Sequence, residues 1–209
     1  MAGVFSVMHR SMLNGLCIVT VVAPLMMFAA SVPSVGSMAP EFKLNSQEGR
    51  SVSLGDYRGS WVVLYFYPKD FSGGCTIEAH NFQRDQKQYQ EKNAVVLGVS
   101  VDSADSHKQF CTKEGLNFKL LSDTSHKVSS QYGSLTNLGL VKFASRHTFI
   151  IDPQGKIARA YTDVNPNKHS EEVLTALAEL KKQRGEAPQS SSRIEISNHE
   201  NQIFAACVF

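Results

Sequence analysis

The sequence predicts an α/β fold, and three observations carry the prediction. Trp61-Val-Val-Leu-Tyr-Phe-Tyr67 and Val95-Val-Leu-Gly-Val-Ser-Val101 are continuous β-branched and aromatic runs. Such runs mark strands buried on both faces in a sheet covered by helices. A helix-favouring stretch follows each, so the middle of the chain reads strand, helix, strand, helix. Ser170 to Lys182 then places acids in its first turn, lysines in its last, and Val173, Ala176, Leu177 and Leu180 at the spacing of one buried face, the pattern of an amphipathic helix. With 209 residues, 42% apolar and 19% charged, the chain suits one globular domain with tails. A net charge of +2 without a sustained basic run gives no nucleic-acid surface.

Residues 1–30 read as a targeting segment. His9 and Arg10 precede an apolar run from Leu13 to Ala30, broken by Asn14, Thr20 and Pro24 and followed by small residues in Ala29-Ala-Ser-Val-Pro-Ser34. This is the layout of an export signal leading to a periplasm, the outside or an organelle. An uncleaved membrane anchor over residues 13–30 is the alternative. Cleavage would remove Cys17 and leave no stable membrane association.

The domain is expected over residues 38–183. Ala39 to Leu44 is an extended entry, Asn45 to Arg50 supplies turn chemistry, and Ser51 to Leu54 returns as a second short strand, giving an N-terminal hairpin. Pro68 ends the first long strand. A helix is expected from Cys75 to about Gln90, and Asp102 or Ser103 caps another that stops at Gly115. Phe118 to Leu121 is a short strand and Thr124 to Tyr132 a short helix. His147 to Ile151 and Lys156 to Tyr161 form a hairpin through Asp152-Pro-Gln-Gly155, where proline fixes φ and glycine supplies the left-handed position. Residues 184–209 are too polar over most of their length to pack and are expected as a disordered tail. The apolar end, Ile203 to Phe209 with Cys207, is assigned no role.

Cysteines stand at positions 17, 75, 111 and 207, with no C-x-x-C pair and no histidine cluster beside them. That spacing argues against a zinc ribbon and against a thioredoxin-type dithiol motif. A cysteine beside an aromatic strand is ordinarily a small core residue. The context of Cys75 reverses this reading. Gly73-Gly74 lets the backbone approach closely at the turn, and the polar Ser72 sits three residues before the thiol. In the first turn of a helix the sulfur faces unsatisfied N–H groups and the positive end of the helix dipole, and both favour negative charge there. The compensating cation is expected from Arg146, since arginine cannot lose its proton.

These residues carry a resemblance. Pro68-x-x-x-Ser72-x-x-Cys75 resembles the peroxiredoxin motif Pro-x-x-x-Thr/Ser-x-x-Cys. Tyr65 to Asp70, Gly74-Cys-Thr76, Leu120-Leu-Ser-Asp123 and Ser145 to Asp152 resemble the PrxQ branch, also called bacterioferritin comigratory protein. The match covers about residues 38–182. It implies a thioredoxin fold with a central mixed sheet, flanking helices and an N-terminal hairpin. It also implies a peroxidase in which Cys75 attacks the terminal oxygen of a hydroperoxide and becomes a sulfenic acid. Pro68 would shield the site, Ser72 would orient the peroxide, and Arg146 would stabilise the thiolate and the developing charge. No metal or organic cofactor is implied. Thioredoxin or a similar dithiol protein is the expected reductant, and a monomer is expected with a dimer as the alternative.

The chain departs from the branch at His80, where many members carry a second cysteine five residues after the first. The placement of Cys111, 36 residues beyond Cys75 in the next helix, resembles that of the resolving cysteine in another subset, which implies a Cys75–Cys111 disulfide. Other readings stand beside this one. They are a one-cysteine enzyme reduced by an external thiol, a non-catalytic binding or chaperone module, and a dithiol–disulfide oxidoreductase, the last weakened by the missing C-x-x-C.

Overall fold

The structure is a computed structural model that describes residues 31–186. The targeting segment, Cys17, Cys207 and residues 187–209 lie outside the described residues. Strands β1 (Lys43–Ser46) and β2 (Ser51–Ser53) open the domain as the expected hairpin, and a short 3-10 turn at Leu54–Tyr57 leads to β3 (Trp61–Phe66). Then come α1 (Gly73–Arg84), α2 (Gln86–Glu91), β4 (Ala94–Ser100), α3 (Ala104–Glu114), β5 (Lys119–Ser122) and α4 (Lys127–Gln131). The chain continues through β6 (Leu135–Asn137), β7 (Lys142–Ala144), β8 (Thr148–Ile151), β9 (Ile157–Tyr161) and α5 (His169–Gln183).

Among the described residues seven strands form one mixed sheet in the order β2-β1-β5-β4-β3-β8-β9, while β6 and β7 pair separately. The central strands β3, β4 and β5 run parallel, and β8 lies antiparallel to β3. Every residue of β3 is buried, because alternate side chains serve two cores. Trp61, Val63 and Tyr65 join Ala79 and Phe82 of α1, Phe110 of α3 and Val173 and Leu177 of α5. Val62, Leu64 and Phe66 meet Leu97, Leu121, Tyr132 and Phe149 on the opposite face. Cys75 and Cys111 both belong to the first cluster.

Two expectations change, and two features stand beyond what was expected. The single helix expected from Cys75 to Gln90 is two, divided at Asp85. That carboxylate accepts from Ser170 Oγ at 2.7 Å and pairs with Arg84, also at 2.7 Å. Tyr89, just beyond the break, donates to the Ser170 carbonyl at 2.8 Å. The break therefore lets one buried carboxylate tie both helices to the start of α5. The short helix expected from Thr124 contracts to Lys127–Gln131. Third, the β6–β7 hairpin had no signal, because its three-residue strands show no alternation. Finally, contacts extend past both ends of residues 38–183. Gly36 and Ser37 bond to Ile157 along the edge of β9. Arg184 pairs with Asp152 at 2.7 Å, and Glu186 accepts from Trp61 Nε1 at 3.0 Å.

Candidate active site

β3 delivers the chain into the segment 67–72, and α1 begins directly after it. Ser72 is the residue before the first helical turn, in extended geometry. Its hydroxyl does not cap the helix but donates to the Lys69 carbonyl at 3.0 Å, leaving its oxygen lone pairs as acceptors. Pro68 is partly buried. Cys75 is the third residue of α1 and is 1% exposed. Its N–H lies among the first four of the helix, which have no intrahelical acceptor.

The glycine pair does not perform the role expected of it. Gly73 and Gly74 have no left-handed φ, and the nearest group to a side chain built at Gly74 would be Arg146 Nη2 at 3.4 Å, an ordinary contact. The left-handed residue is Phe71, at φ 60°, a conformation that costs a non-glycine residue about 1 kcal/mol. Its ring packs edge-on against Phe110 of α3, centroids 5.1 Å apart, with Lys113 Nζ 5.5 Å above it. Sequence reading gave no warning, because neither αL strain nor a partner on a later helix leaves a local pattern.

Arg146 is brought to Cys75 from the far side of the sheet. The β6–β7 hairpin holds it, through Ser145 N donating to the Ser134 carbonyl at 2.7 Å and Thr136 Oγ1 meeting Ser145 Oγ at 2.6 Å. Arg146 Nη2 lies 3.4 Å from Cys75 Sγ, and Nη1 donates to Glu78 Oε2. One guanidinium thus bridges the thiol and a buried carboxyl. Glu78 was missed in the sequence. An acid three residues after a helical cysteine shares its face, and that spacing is the available signal.

Burial pushes Glu78 up to about 7, against the pull of the Arg146 charge and hydrogen bond. At Arg146 burial works in the opposite direction, but the neighbouring Glu78 and Cys75 outweigh it and raise the guanidinium further. The guanidinium is therefore the fixed charge of the site, and the carboxyl is the member whose proton changes. Tyr65, fully buried beneath, is raised well above its ordinary range, first by burial and then by the charges of Glu78, Cys111 and Cys75.

Cys111 is fully buried in α3. His80 is half-exposed on α1, its Nε2 3.0 Å from Glu114 Oε2 at the end of α3. The structure thus brings Arg146 to the Cys75 sulfur, sets Ser72 at the residue before α1 and Pro68 in the segment that leads to it, and places Cys111 in the same apolar cluster as Cys75. Among the described residues no group of three or more His, Cys, Asp or Glu side chains could hold a metal ion.

The model of the AhpC/TSA family matches residues 35–160. Peroxiredoxin Bcp of Bacillus subtilis is 37% identical over 150 residues, covering 70% of this chain and 96% of its own. The chloroplastic peroxiredoxin Q of Sedum lineare is 40% identical over 147 residues, covering 70% and 78%. A crystal structure of a cysteine-to-serine mutant of Xylella fastidiosa PrxQ superimposes with a TM-score of 0.67 at 34% identity, covering 71% of this chain and 98% of its own. The Xanthomonas campestris bacterioferritin comigratory protein, in a structure described for its alkyl peroxide reduction activity, superimposes with a TM-score of 0.65 at 31% identity, covering 72% and 99%.

Proposed function

Because the chain belongs to the AhpC/TSA family, in the PrxQ or Bcp branch of the peroxiredoxins, it is a thiol peroxidase, and we propose that Cys75 is the thiol that the peroxide oxidises. The observation that carries this assignment is the bridging guanidinium of Arg146, 3.4 Å from a sulfur in the first turn of α1. In the reaction Sγ attacks the terminal peroxide oxygen, the O–O bond breaks, and the thiol proton ends on the departing oxygen as water or alcohol. Cys75 is left as a sulfenic acid. Arg146 supplies positive charge where the departing oxygen becomes negative. The Ser72 oxygen accepts from the peroxide O–H, and Pro68 covers the approach from the side of β3. Hydrogen peroxide and small organic hydroperoxides are the proposed substrates, the latter in line with the alkyl peroxide activity of the Xanthomonas relative.

Cys111 is the proposed resolving residue. Its thiol attacks the sulfenic sulfur, water leaves, and a disulfide forms that thioredoxin or a similar dithiol reduces. Both sulfurs start on helices in the core. A disulfide needs Cα atoms within about 7 Å and side chains pointing together, and a local opening of at least one helix to reach that geometry is part of the proposed step. Residues 1–30 are proposed as the signal that takes the enzyme out of the compartment of synthesis.

Cys75→Ser should abolish peroxide consumption, and substantial residual turnover would remove Cys75 from the role. Non-reducing peptide mapping after one equivalent of peroxide should recover Cys75 joined to Cys111. Recovery of only sulfenic or sulfinic acid at Cys75 would assign the one-cysteine route instead.

A further inference from the structure

The segment that builds the peroxide site is bound to the Cys111 helix by a buried ionic cluster that the reaction chemistry leaves unused. Asp70 lies between Pro68 and Ser72 and is 3% exposed. Its carboxylate accepts from Tyr67 Oη at 2.7 Å and Ser106 Oγ at 2.6 Å, and His107 Nδ1 lies 2.9 Å from Oδ2. The Asp70 N–H donates to Asp102 Oδ2 at 2.9 Å, just ahead of α3. His107 is fully buried, and its Nε2 has no hydrogen-bond partner. One helical turn beyond His107 on the same face stands Cys111. Burial pushes Asp70 up, but the hydrogen bond and charge of His107, with the Ser106 and Tyr67 hydroxyls, outweigh it and hold the carboxyl below its ordinary range.

A second histidine–carboxylate contact, His80 with Glu114, also joins the peroxidatic side to α3, but its imidazole is half-exposed. Exposed pairs contribute little. The buried pair dominates, because separating it leaves an uncompensated charge in the core.

We propose that His107 is a positioning residue for the resolving step: through Asp70 it clasps the Cys111 helix onto the peroxide-site segment, and the clasp must release before Cys111 reaches the Cys75 sulfenic acid. This inference rests on Cys111 being the resolving residue. In the closed state the sulfenic acid is exposed to a second peroxide, which adds an oxygen to give the sulfinic acid and leaves as water or alcohol. In the opened state the Cys111 thiol displaces water and forms the disulfide. The clasp therefore sets the branching between the two products from a common sulfenic acid. Because a damaged peroxide site would also slow the second oxidation, the rate of the first oxidation is measured on the same variants and the ratio is corrected for any change in it.

The test is mass-spectrometric mapping of Cys75 in the full chain, pulsed with graded hydrogen peroxide, in wild type, His107→Ala, His107→Asn and Ser106→Ala. A hydrogen bond to a charged group shifts an opening equilibrium by about tenfold or more. His107→Ala should raise the disulfide-to-sulfinic ratio by about that factor and speed hydrogen exchange of the α3 amides. His107→Asn, which keeps an N–H near the place of Nδ1, should return most of the way to wild type. Ser106→Ala, which removes a single hydroxyl donor, gives a smaller rise in the same direction and serves if His107→Ala does not fold. A wild-type disulfide whose ratio to sulfinic acid is unmoved or lowered in all the folded variants overturns the clasp and leaves Cys111 in its role. Absence of the disulfide in wild type itself removes the Cys111 assignment, and the clasp with it.

Discussion

Replacing Glu78 with glutamine should make the protein more stable and less active at the same pH, for one reason. The carboxyl is 1% exposed, and burial raises it from 4.5 to about 7. A raised folded-state value means that the folded chain holds the proton more tightly than the unfolded chain. The stability gained is therefore complete below the unfolded value near 4.5 and is lost as pH rises through about 7. At 1.36 kcal/mol per pH unit this gap corresponds to roughly 3 kcal/mol. Glutamine mimics the protonated acid and has no such loss. The stability difference, Glu78→Gln minus wild type, should thus rise by about 3 kcal/mol between pH 4 and pH 8, read by urea unfolding of the reduced proteins. The same substitution weakens the hold on Arg146, whose other nitrogen lies 3.4 Å from Cys75 Sγ. A hydrogen bond to a charged group contributes about 1.5–3 kcal/mol, so Cys75 oxidation at pH 8, followed by stopped flow, should slow by about tenfold or more. A stability difference that stays flat with pH, together with an oxidation rate within about twofold of wild type, would show that Glu78 neither titrates nor positions the guanidinium.

Two further substitutions test the frame around the sulfur. Arg146→Lys keeps the charge but loses the planar fork that reaches Glu78 and Cys75 together; we expect single-turnover oxidation of Cys75 to slow by about tenfold or more, and a rate equal to wild type would mean that a point charge suffices. Gly98→Ala puts a methyl group 2.6 Å from Leu120 Cδ2 and 2.8 Å from the Tyr65 ring; overpacking of this kind costs about 1–3 kcal/mol, visible as a lower urea midpoint, and an unchanged midpoint would show that Tyr65 can move aside.

What could be read from the sequence is what leaves a local trace. Buried strands announce themselves by composition, so β3 and β4 stand where the runs beginning at Trp61 and Val95 placed them. Ser103 caps α3 with its side chain, and Gly115 ends that helix at φ 65° as expected. Cys75, Ser72 and Pro68 could be proposed from sequence because they lie within one short stretch. Arg146 was legible only as a cation ahead of a strand, and its bridging geometry depends on a hairpin whose short strands have no periodic signature. Glu78, Asp70 and His107 were missed for a common reason. Each is a polar residue whose meaning comes from burial, and burial is settled by tertiary packing. Phe71 shows the converse, since its strained backbone is sustained by Phe110 and Lys113 of a helix that is remote in sequence.

With Cys111 as the proposed resolving residue, the second sulfur comes from α3, and that changes what must give way. Cys75 and Cys111 sit in one apolar cluster, so the reduced site is held shut by the same packing that supports the sheet. Oxidation alters that balance from within. A sulfenic acid adds a polar oxygen to a cluster built for a thiol, and any hydrogen-bonding capacity that Arg146 and the first turn of α1 leave unmet costs up to about 1–3 kcal/mol. The helix that must respond has only 11 residues, shorter than the roughly 12–15 at which isolated helices become even marginally stable. Once its apolar contacts and the Asp70–His107 pair release, little in α3 itself opposes unwinding. On this reading the opening is coupled to the chemistry: the closed state loses stability when peroxide has reacted, and Cys111 is delivered by a helix too short to hold its structure alone.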